Sequence, residues 1–314
     1  MHVLVTGGSG FIGQYLVKEL VEHGYKVKIL TRQSPPKINE ASIVHGDITK
    51  PETLIPALEG VDAVFHNAAY AMDWGKKSEI YRINVEGTLN IAEACRKKGV
   101  DRIVFTSSAG VYGFPNSREK ITEGSSKKPL NAYQKSKVDA EISLKKYKNL
   151  HVSIIRPPLV LGAGAKAAEI ILSRLEQKKM VYIGTENNQI SIVHPMDVAQ
   201  CLRLALEKDE EGNTYNVVSF VCTVKELFEE ISAQLGTDPP RGRMPFFLAY
   251  AAALFAELFA QTEPSLTRFR IKSLGTTRII SCERARRMLG YTPKFDLQST
   301  VEDMVSGHKM HNQI

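Results

Sequence analysis

The chain has 314 residues, 43% of them hydrophobic and 24% charged, which suits one large or two unequal globular domains and argues against intrinsic disorder. Its four cysteines, Cys95, Cys201, Cys222 and Cys282, form no Cys-x-x-Cys pair and have no histidine at metal-ligand spacing, so reduced thiols and no metal site are expected. The formal net charge is +7, but the basic residues come in scattered pairs such as Lys76-Lys77 and Lys145-Lys146 interleaved with acids, which fits a solvated surface better than a nucleic-acid stripe.

The chain opens Met1-His2-Val3-Leu4-Val5-Thr6, with neither the charged leader nor the apolar length of a signal peptide, so a cytoplasmic location is expected. Strands are predicted over Val3 to Thr6, Lys26 to Thr31, Ser42 to His45, Ala63 to His66, Ile103 to Thr106 and Val152 to Arg156. Helical patterns fall between them, near Phe11 to His23, Pro51 to Leu58, Glu79 to Lys98 and Ala132 to Lys148. This alternation predicts an α/β fold built on a doubly wound parallel sheet.

Thr6-Gly7-Gly8-Ser9-Gly10-Phe11-Ile12-Gly13 joins the first strand to the first helix and satisfies the dinucleotide-binding fingerprint in its expected context. Missing side chains permit a tight turn, close approach of backbone to pyrophosphate and close helix-strand packing. Gly7, Gly10, Phe11, Ile12 and Gly13 are the expected contacts. The second strand ends Leu30-Thr31-Arg32, where an NAD enzyme normally presents an acid to the ribose. An arginine without a nearby carboxylate can pair a 2′-phosphate, so NADP is preferred over NAD, the alternative being that Arg32 stacks on adenine. Asp47 and Ile48, after the third strand, are placed to meet the adenine edge; Asp47 can instead cap the helix near Pro51.

After Arg156-Pro157-Pro158 the pattern changes, with Gly162-Ala163-Gly164 opening a helix that runs to about Lys178. Ile190 to Val193 is predicted as a returning strand and Met196 to Glu207 as a helix on the main layer. A nucleotide domain over 1–157, with 188–220 returning to it, and a mainly helical substrate domain over 158–187 and 221–314 follow. Residues 244–260 are apolar on nearly every face. They fall short of the ~20 residues of a membrane span and include Glu257. A buried or substrate-covering cap helix is expected there, with an oligomer contact or peripheral membrane contact as alternatives.

Tyr133 and Lys137 lie four residues apart on one predicted helical face. A phenol has a reference pKa of about 10, and a nearby ammonium favours the phenolate. Ser108, from the end of a preceding strand, could hold a carbonyl or alcohol oxygen against that phenol while hydride moves.

With the glycine turn, His66-Asn67-Ala68-Ala69, Asn84-Val85-Glu86-Gly87-Thr88, Ser107-Ser108-Ala109, Tyr133 to Lys137 and Arg156-Pro157-Pro158 in order, the chain resembles the extended short-chain dehydrogenase/reductases. The resemblance implies a Rossmann domain, a smaller C-terminal substrate domain, a nicotinamide cofactor and a catalytic set of Ser108, Tyr133 and Lys137. It further implies that Lys137 binds the nicotinamide ribose and lowers the tyrosine pKa. Asn67, Ala68 and Ala69 match the loop under the cofactor, Ser107 is counted among the cofactor contacts, and Pro158 and Leu159 match the backbone at the nicotinamide end. Asn84 matches a structural asparagine.

The family includes nucleotide-sugar epimerases and dehydratases as well as net ketone reductases. Arg156-Pro157-Pro158-Leu159 lacks the asparagine, and Gln189 to Asp197 the arginine, that sugar-nucleotide members carry. Asp73-Trp74-Gly75 and the apolar 244–260 segment look more like the 3β-hydroxysteroid dehydrogenase and dihydroflavonol reductase branch. A ketone or secondary alcohol on a sterol-like or other apolar small molecule is the expected substrate, and a homodimer through the helices near 79–98 and 132–148 the expected assembly. A nucleotide-sugar epimerase or dehydratase and a non-catalytic NADP-binding redox sensor are the alternatives.

Overall fold

The computed structural model describes residues 1–32 and 41–312. Seven parallel strands form the main sheet, in spatial order Thr214–Asn216, His151–Arg156, Arg102–Thr106, Ala63–His66, His2–Thr6, Lys26–Thr31 and Ser42–His45. Alternation within the strands explains why both faces are covered. Val3, Val5, Ile29, Phe65 and Val104 pack on one side against Leu16, Val17 and Leu20 of helix Phe11–Glu22 and Val198 and Leu202 of helix Pro195–Lys208. Leu4, Leu30, Val64, Ile103 and Phe105 face the other way, toward Leu54, Ile91, Ala92 and Leu144.

Strand order reverses between Lys26–Thr31 and Ala63–His66, which flank His2–Thr6 on opposite sides. The registers align the strand ends: Thr6 lies beside both Leu30 and His66, His66 beside Phe105, and Thr106 beside Ile155. The residues that follow, Gly7, Arg32, Asn67, Ser107 and Pro157, therefore gather at one edge, where such sheets bind their ligands.

The second lobe contains a sheet that the sequence pattern did not reveal. Phe220–Thr223, Gln189–Val193, Arg278–Ile280 and Ser117–Ile121 lie side by side, with Leu159–Val160 pairing Gln189–Val193. Within 188–220, helix Pro195–Lys208 and strand Thr214–Asn216 lie on the main layer, but the strand Gln189–Val193 does not return to the main sheet. Its Ile190 and Ile192 are buried instead among Leu172, Leu227, Phe228 and Met304 of the second lobe.

Two expected helices also differ. Glu79 to Lys98 is divided into Lys77–Tyr81, a π-helical turn Arg82–Glu86 and Gly87–Lys98. In that turn Asn84 faces the Tyr70 backbone, and a Cβ on Gly87 would come within 2.7 Å of Ile48 Cδ1. Ala132 onward ends at Leu144 rather than Lys148.

Candidate active site

Gly7 has φ +68°, and a Cβ on it would lie 2.8 Å from Ala68 Cα. A Cβ on Gly13 would lie only 2.0 Å from the Gly7 carbonyl oxygen. The turn can close only without these side chains. Gly10 precedes the helix that starts at Phe11, and no side chain caps it, which leaves the first-turn amides for an anion.

A cavity of about 470 Å³ at this edge is lined by Gly7, Gly10, Arg32, Asp47, Ile48, Ala68 and Ala69 together. Thr6, Ser9, Gly46, Thr49, Tyr70 and Ile83 also line it and were not anticipated. A glycine cradle, amides at a helix start and polar groups of Thr6, Ser9, Arg32, Asp47 and Thr49 in the lining fit a dinucleotide. Phe11 and Ile12 are not among the lining residues: the Phe11 side chain packs toward Tyr15 and the second lobe, and Ile12 packs into the main core.

Asp47 does not cap the helix near Pro51. Its Oδ1 accepts from the Thr49 amide at 2.8 Å and the Thr49 hydroxyl at 2.9 Å. Burial acts upward on this carboxyl, but the Thr49 bonds and the charges of Arg32 and Arg82 outweigh it and hold the pKa below the usual range. Arg32 thus has a carboxylate within electrostatic reach, contrary to the sequence expectation.

Under the cavity a chain of bonds fixes a neutral histidine. Thr88 Oγ1 donates to the Asn84 carbonyl at 2.7 Å, so it accepts from His66 Nε2 at 2.9 Å. His66 Nδ1 then accepts from Thr6 Oγ1 at 2.8 Å, and Thr6 Oγ1 accepts from the Ala68 amide at 3.1 Å. Burial, followed by the charge of Lys137, lowers the His66 pKa to about 3, so the assignment is stable across the physiological range. The chain pins the Ala68 loop. Asn67 Nδ2 reaches the Gly7 carbonyl at 3.4 Å.

Ser108, Tyr133, Lys137, Pro158 and Leu159 lie outside the lining of that cavity. The Ser108 hydroxyl accepts from the Gly110 amide at 3.0 Å, and a Cβ on Gly110 would meet both Ser108 Oγ at 3.0 Å and Gln134 Cγ at 3.1 Å, so the Ser108 turn packs on the start of the Tyr133 helix. Asn131 caps the helix that carries Tyr133, accepting from the Gln134 amide at 2.9 Å. Asn84 Nδ2 donates to Ser136 Oγ at 2.9 Å, which donates to the Tyr133 carbonyl at 2.7 Å, so Asn84 holds two segments of the site in place. Pro157 accepts from the Ala109 amide at 2.8 Å, and Leu159 starts the strand that enters the second sheet.

Lys137 is 2% exposed, donates to the Thr106 carbonyl at 2.8 Å and lies over the Phe105 ring. Burial lowers its pKa to about 7, opposed by Glu141. Burial raises the Tyr133 phenol, and the opposing influence comes from Ser108, not Lys137. The expected lowering of the phenol by the lysine is corrected accordingly: the lysine's own charge is weakened by burial.

The hydroxyl of Ser107, a residue expected among the cofactor contacts, is engaged in the core, donating to Glu141 Oε1 at 2.6 Å. Glu141 also accepts from Arg156 Nε and Nη2 at 2.8 and 2.6 Å and from Lys127 Nζ at 2.6 Å. Arg156 Nη1 donates to the Tyr112 hydroxyl at 2.6 Å, which donates to Asn216 Oδ1 at 2.8 Å. This buried network joins the ends of three strands to the Tyr133 helix. Its sequence signal was the recurrence of Tyr133, Lys137 and Glu141 at every fourth position.

A second cavity, of about 480 Å³, lies between Lys166, Ile170 and Arg174 of one helix and Glu263, Pro264 and Arg270. Half-buried Trp74 sits in the neighbouring loop, which Asp73 anchors by accepting from Thr267 Oγ1 and Arg270 Nη2 at 2.5 and 3.1 Å. Asp73 also accepts through its carbonyl from Asn131 Nδ2 at 3.3 Å.

The model of the NAD dependent epimerase/dehydratase family matches residues 3–218. A 2-alkyl-3-oxoalkanoate reductase of Stenotrophomonas maltophilia is 29% identical, over 95% of this chain and 96% of that protein. The human sterol-4-alpha-carboxylate 3-dehydrogenase, decarboxylating, is 29% identical, over 97% of this chain and 87% of its own length. Among solved structures, that of gox2253 superposes with a TM-score of 0.84 at 28% identity, covering 99% of each chain.

Proposed function

The chain belongs to the NAD dependent epimerase/dehydratase family, and from that premise we propose that it is a net oxidoreductase interconverting a ketone and a secondary alcohol on an apolar acid, with the carboxylate on the neighbouring carbon. It is an NAD(P)-dependent enzyme of the extended short-chain dehydrogenase/reductase type. When bound, the nicotinamide cofactor supplies or accepts the hydride at the reacting carbon.

The packing of the Ser108 turn on the start of the Tyr133 helix, where Ser108 Oγ and Gln134 Cγ both lie against Gly110, carries the chemical part of this reading. In the reductive direction Ser108 holds the substrate oxygen and Tyr133 donates a proton to it; in the oxidative direction Tyr133 takes that proton back. A raised phenol pKa keeps the proton on Tyr133 until an oxygen with developing negative charge arrives. Gly7, Gly10 and the amides of Phe11 and Ile12 would hold the pyrophosphate. Asp47 and Ile48 would hold the adenine, and Asn67, Ala68, Ala69, Lys137, Pro158 and Leu159 the nicotinamide half.

The substrate class rests on chemistry shared by two relatives. A 2-alkyl-3-oxoalkanoate carries its carboxylate on the carbon beside the ketone, and a sterol 4α-carboxylate carries it beside position 3. Arg32, exposed at the rim of the nucleotide cavity, would have to pair a 2′-phosphate in competition with Asp47 for NADP to be favoured over NAD. Absorbance at 340 nm with NADPH tests the assignment against a 2-alkyl-3-oxoalkanoate and the matched ketone lacking the carboxylate. Faster turnover of the oxo acid is expected. Interconversion of a nucleotide sugar without net cofactor change would overturn it.

A further inference from the structure

Helix Phe246–Phe259 has no polar side, and we propose that its outward face is an interfacial membrane surface that seats the protein on an anionic bilayer. With 3.6 residues per turn, exposed positions 247, 248, 251, 252, 255, 258 and 259 fall within one arc of roughly 140°. Its large side chains are Phe247, Leu248, Phe255, Leu258 and Phe259, between 51% and 79% exposed. The expectation of a buried cap helix holds for the inner side alone, where Ala249 and Ala253 pack with Ile271. Glu257, the helix's one charged residue, faces inward and accepts from the Arg268 amide and Nε at 2.7 and 2.6 Å. The outer arc carries no charge.

Area argues against a second copy as the occupant. The helix is roughly 21 Å long and about 10 Å wide, a strip of roughly 200 Å², whereas a stable interface needs about 800 Å² from each partner. Lipid demands no matching shape, and a phenylalanine-rich face can insert to the depth of one side-chain layer.

Charge complementarity selects an anionic surface. Arg243–Met244 pairs with Tyr182–Ile183, which brings exposed Lys178 and Lys179, just ahead of Tyr182, to the end of the helix where Arg241 and Arg243 stand. The Arg241 and Arg243 side chains are 87% and 61% exposed and each stands beside one carboxylate, Asp238 and Glu186, which leaves Lys178 and Lys179 as the excess positive charge at this end. Cations at the rim of an apolar face are the pattern that binds acidic headgroups.

Flotation of the full chain with phosphatidylcholine vesicles, with and without phosphatidylserine, tests this. Wild type should float with the phosphatidylserine vesicles and be released by salt, while Phe255→Ser/Phe259→Ser should partition roughly a hundredfold more weakly, about tenfold for each ring. Wild type that stays unbound to both vesicles overturns the proposal, as does a dimer in analytical ultracentrifugation that the double variant dissociates. Should the double variant not fold, Phe255→Trp decides: its added emission must shift to the blue with phosphatidylserine vesicles, and an unshifted spectrum contradicts the proposal.

Discussion

Replacing Glu141 by Gln removes one charge from the middle of the buried network and leaves its shape. The carboxylate accepts four hydrogen bonds, two from Arg156 and one each from Lys127 and Ser107, all between 2.6 and 2.8 Å. A glutamine offers one oxygen to these donors and points an amide at the rest. Arg156 is 2% exposed, and its other partners, the Tyr112 hydroxyl and the Glu123 carbonyl, are uncharged. Breaking a buried pair from one side costs about 3–5 kcal/mol, against about 0–1 kcal/mol for a surface pair. The assay is urea unfolding of both proteins across pH. Burial raises the Glu141 pKa, but Arg156 and Lys127 outweigh it and hold it below its ordinary value. That stability is therefore present above the unfolded pKa of about 4.3 and lost as pH falls through the folded value. The gap between wild type and Glu141→Gln should be several kcal/mol at neutral pH and close on acidification. A gap under about 1 kcal/mol at pH 7, or one that persists unchanged into acid, would refute the electrostatic account.

Three further outcomes are expected. Gly13→Ala drives a methyl into the Gly7 carbonyl oxygen, 2.0 Å away, and should abolish measurable NADPH binding by fluorescence titration while the second lobe stays folded. Arg32→Ala should weaken NADP far more than NAD, and an unchanged ratio of the two affinities by calorimetry would remove the 2′-phosphate role. His308 joins the C-terminal helix to Glu169 and Glu176; burial lowers its pKa, but the two carboxylates outweigh that and raise it. Its contribution is full below the unfolded pKa of about 6.5 and is lost as pH rises through the folded value, so His308→Gln should be destabilising at pH 6 and less so in alkali, by thermal unfolding.

Much of the nucleotide half was legible because its signals are local. Gly7, Gly10 and Gly13 declare a turn, and the alternation of Val3, Leu4 and Val5 declares a sheet covered on both faces. Ser117–Ile121 pairs with Arg278–Ile280 across more than half of the chain, and no periodicity in either segment names its partner. The strand Thr214–Asn216 is too short to carry a pattern. Arg156 was visible as part of a motif, but its pairing with Glu141 depends on which side chains the fold buries together. For residues 246–259, apolarity on every face left the direction of burial undetermined until the neighbours were in place. The proton state of Lys137 was likewise hidden, since spacing places the ammonium near Tyr133 and burial then takes much of its charge away.

The central claim is that Tyr133 transfers the proton that accompanies hydride transfer. Its most direct test is single-turnover oxidation of bound NADPH by Tyr133→Phe, followed at 340 nm with the cofactor affinity measured in parallel. The account predicts a rate lower by about 100-fold or more with NADPH affinity unchanged. A variant that oxidises NADPH at the wild-type rate would contradict it.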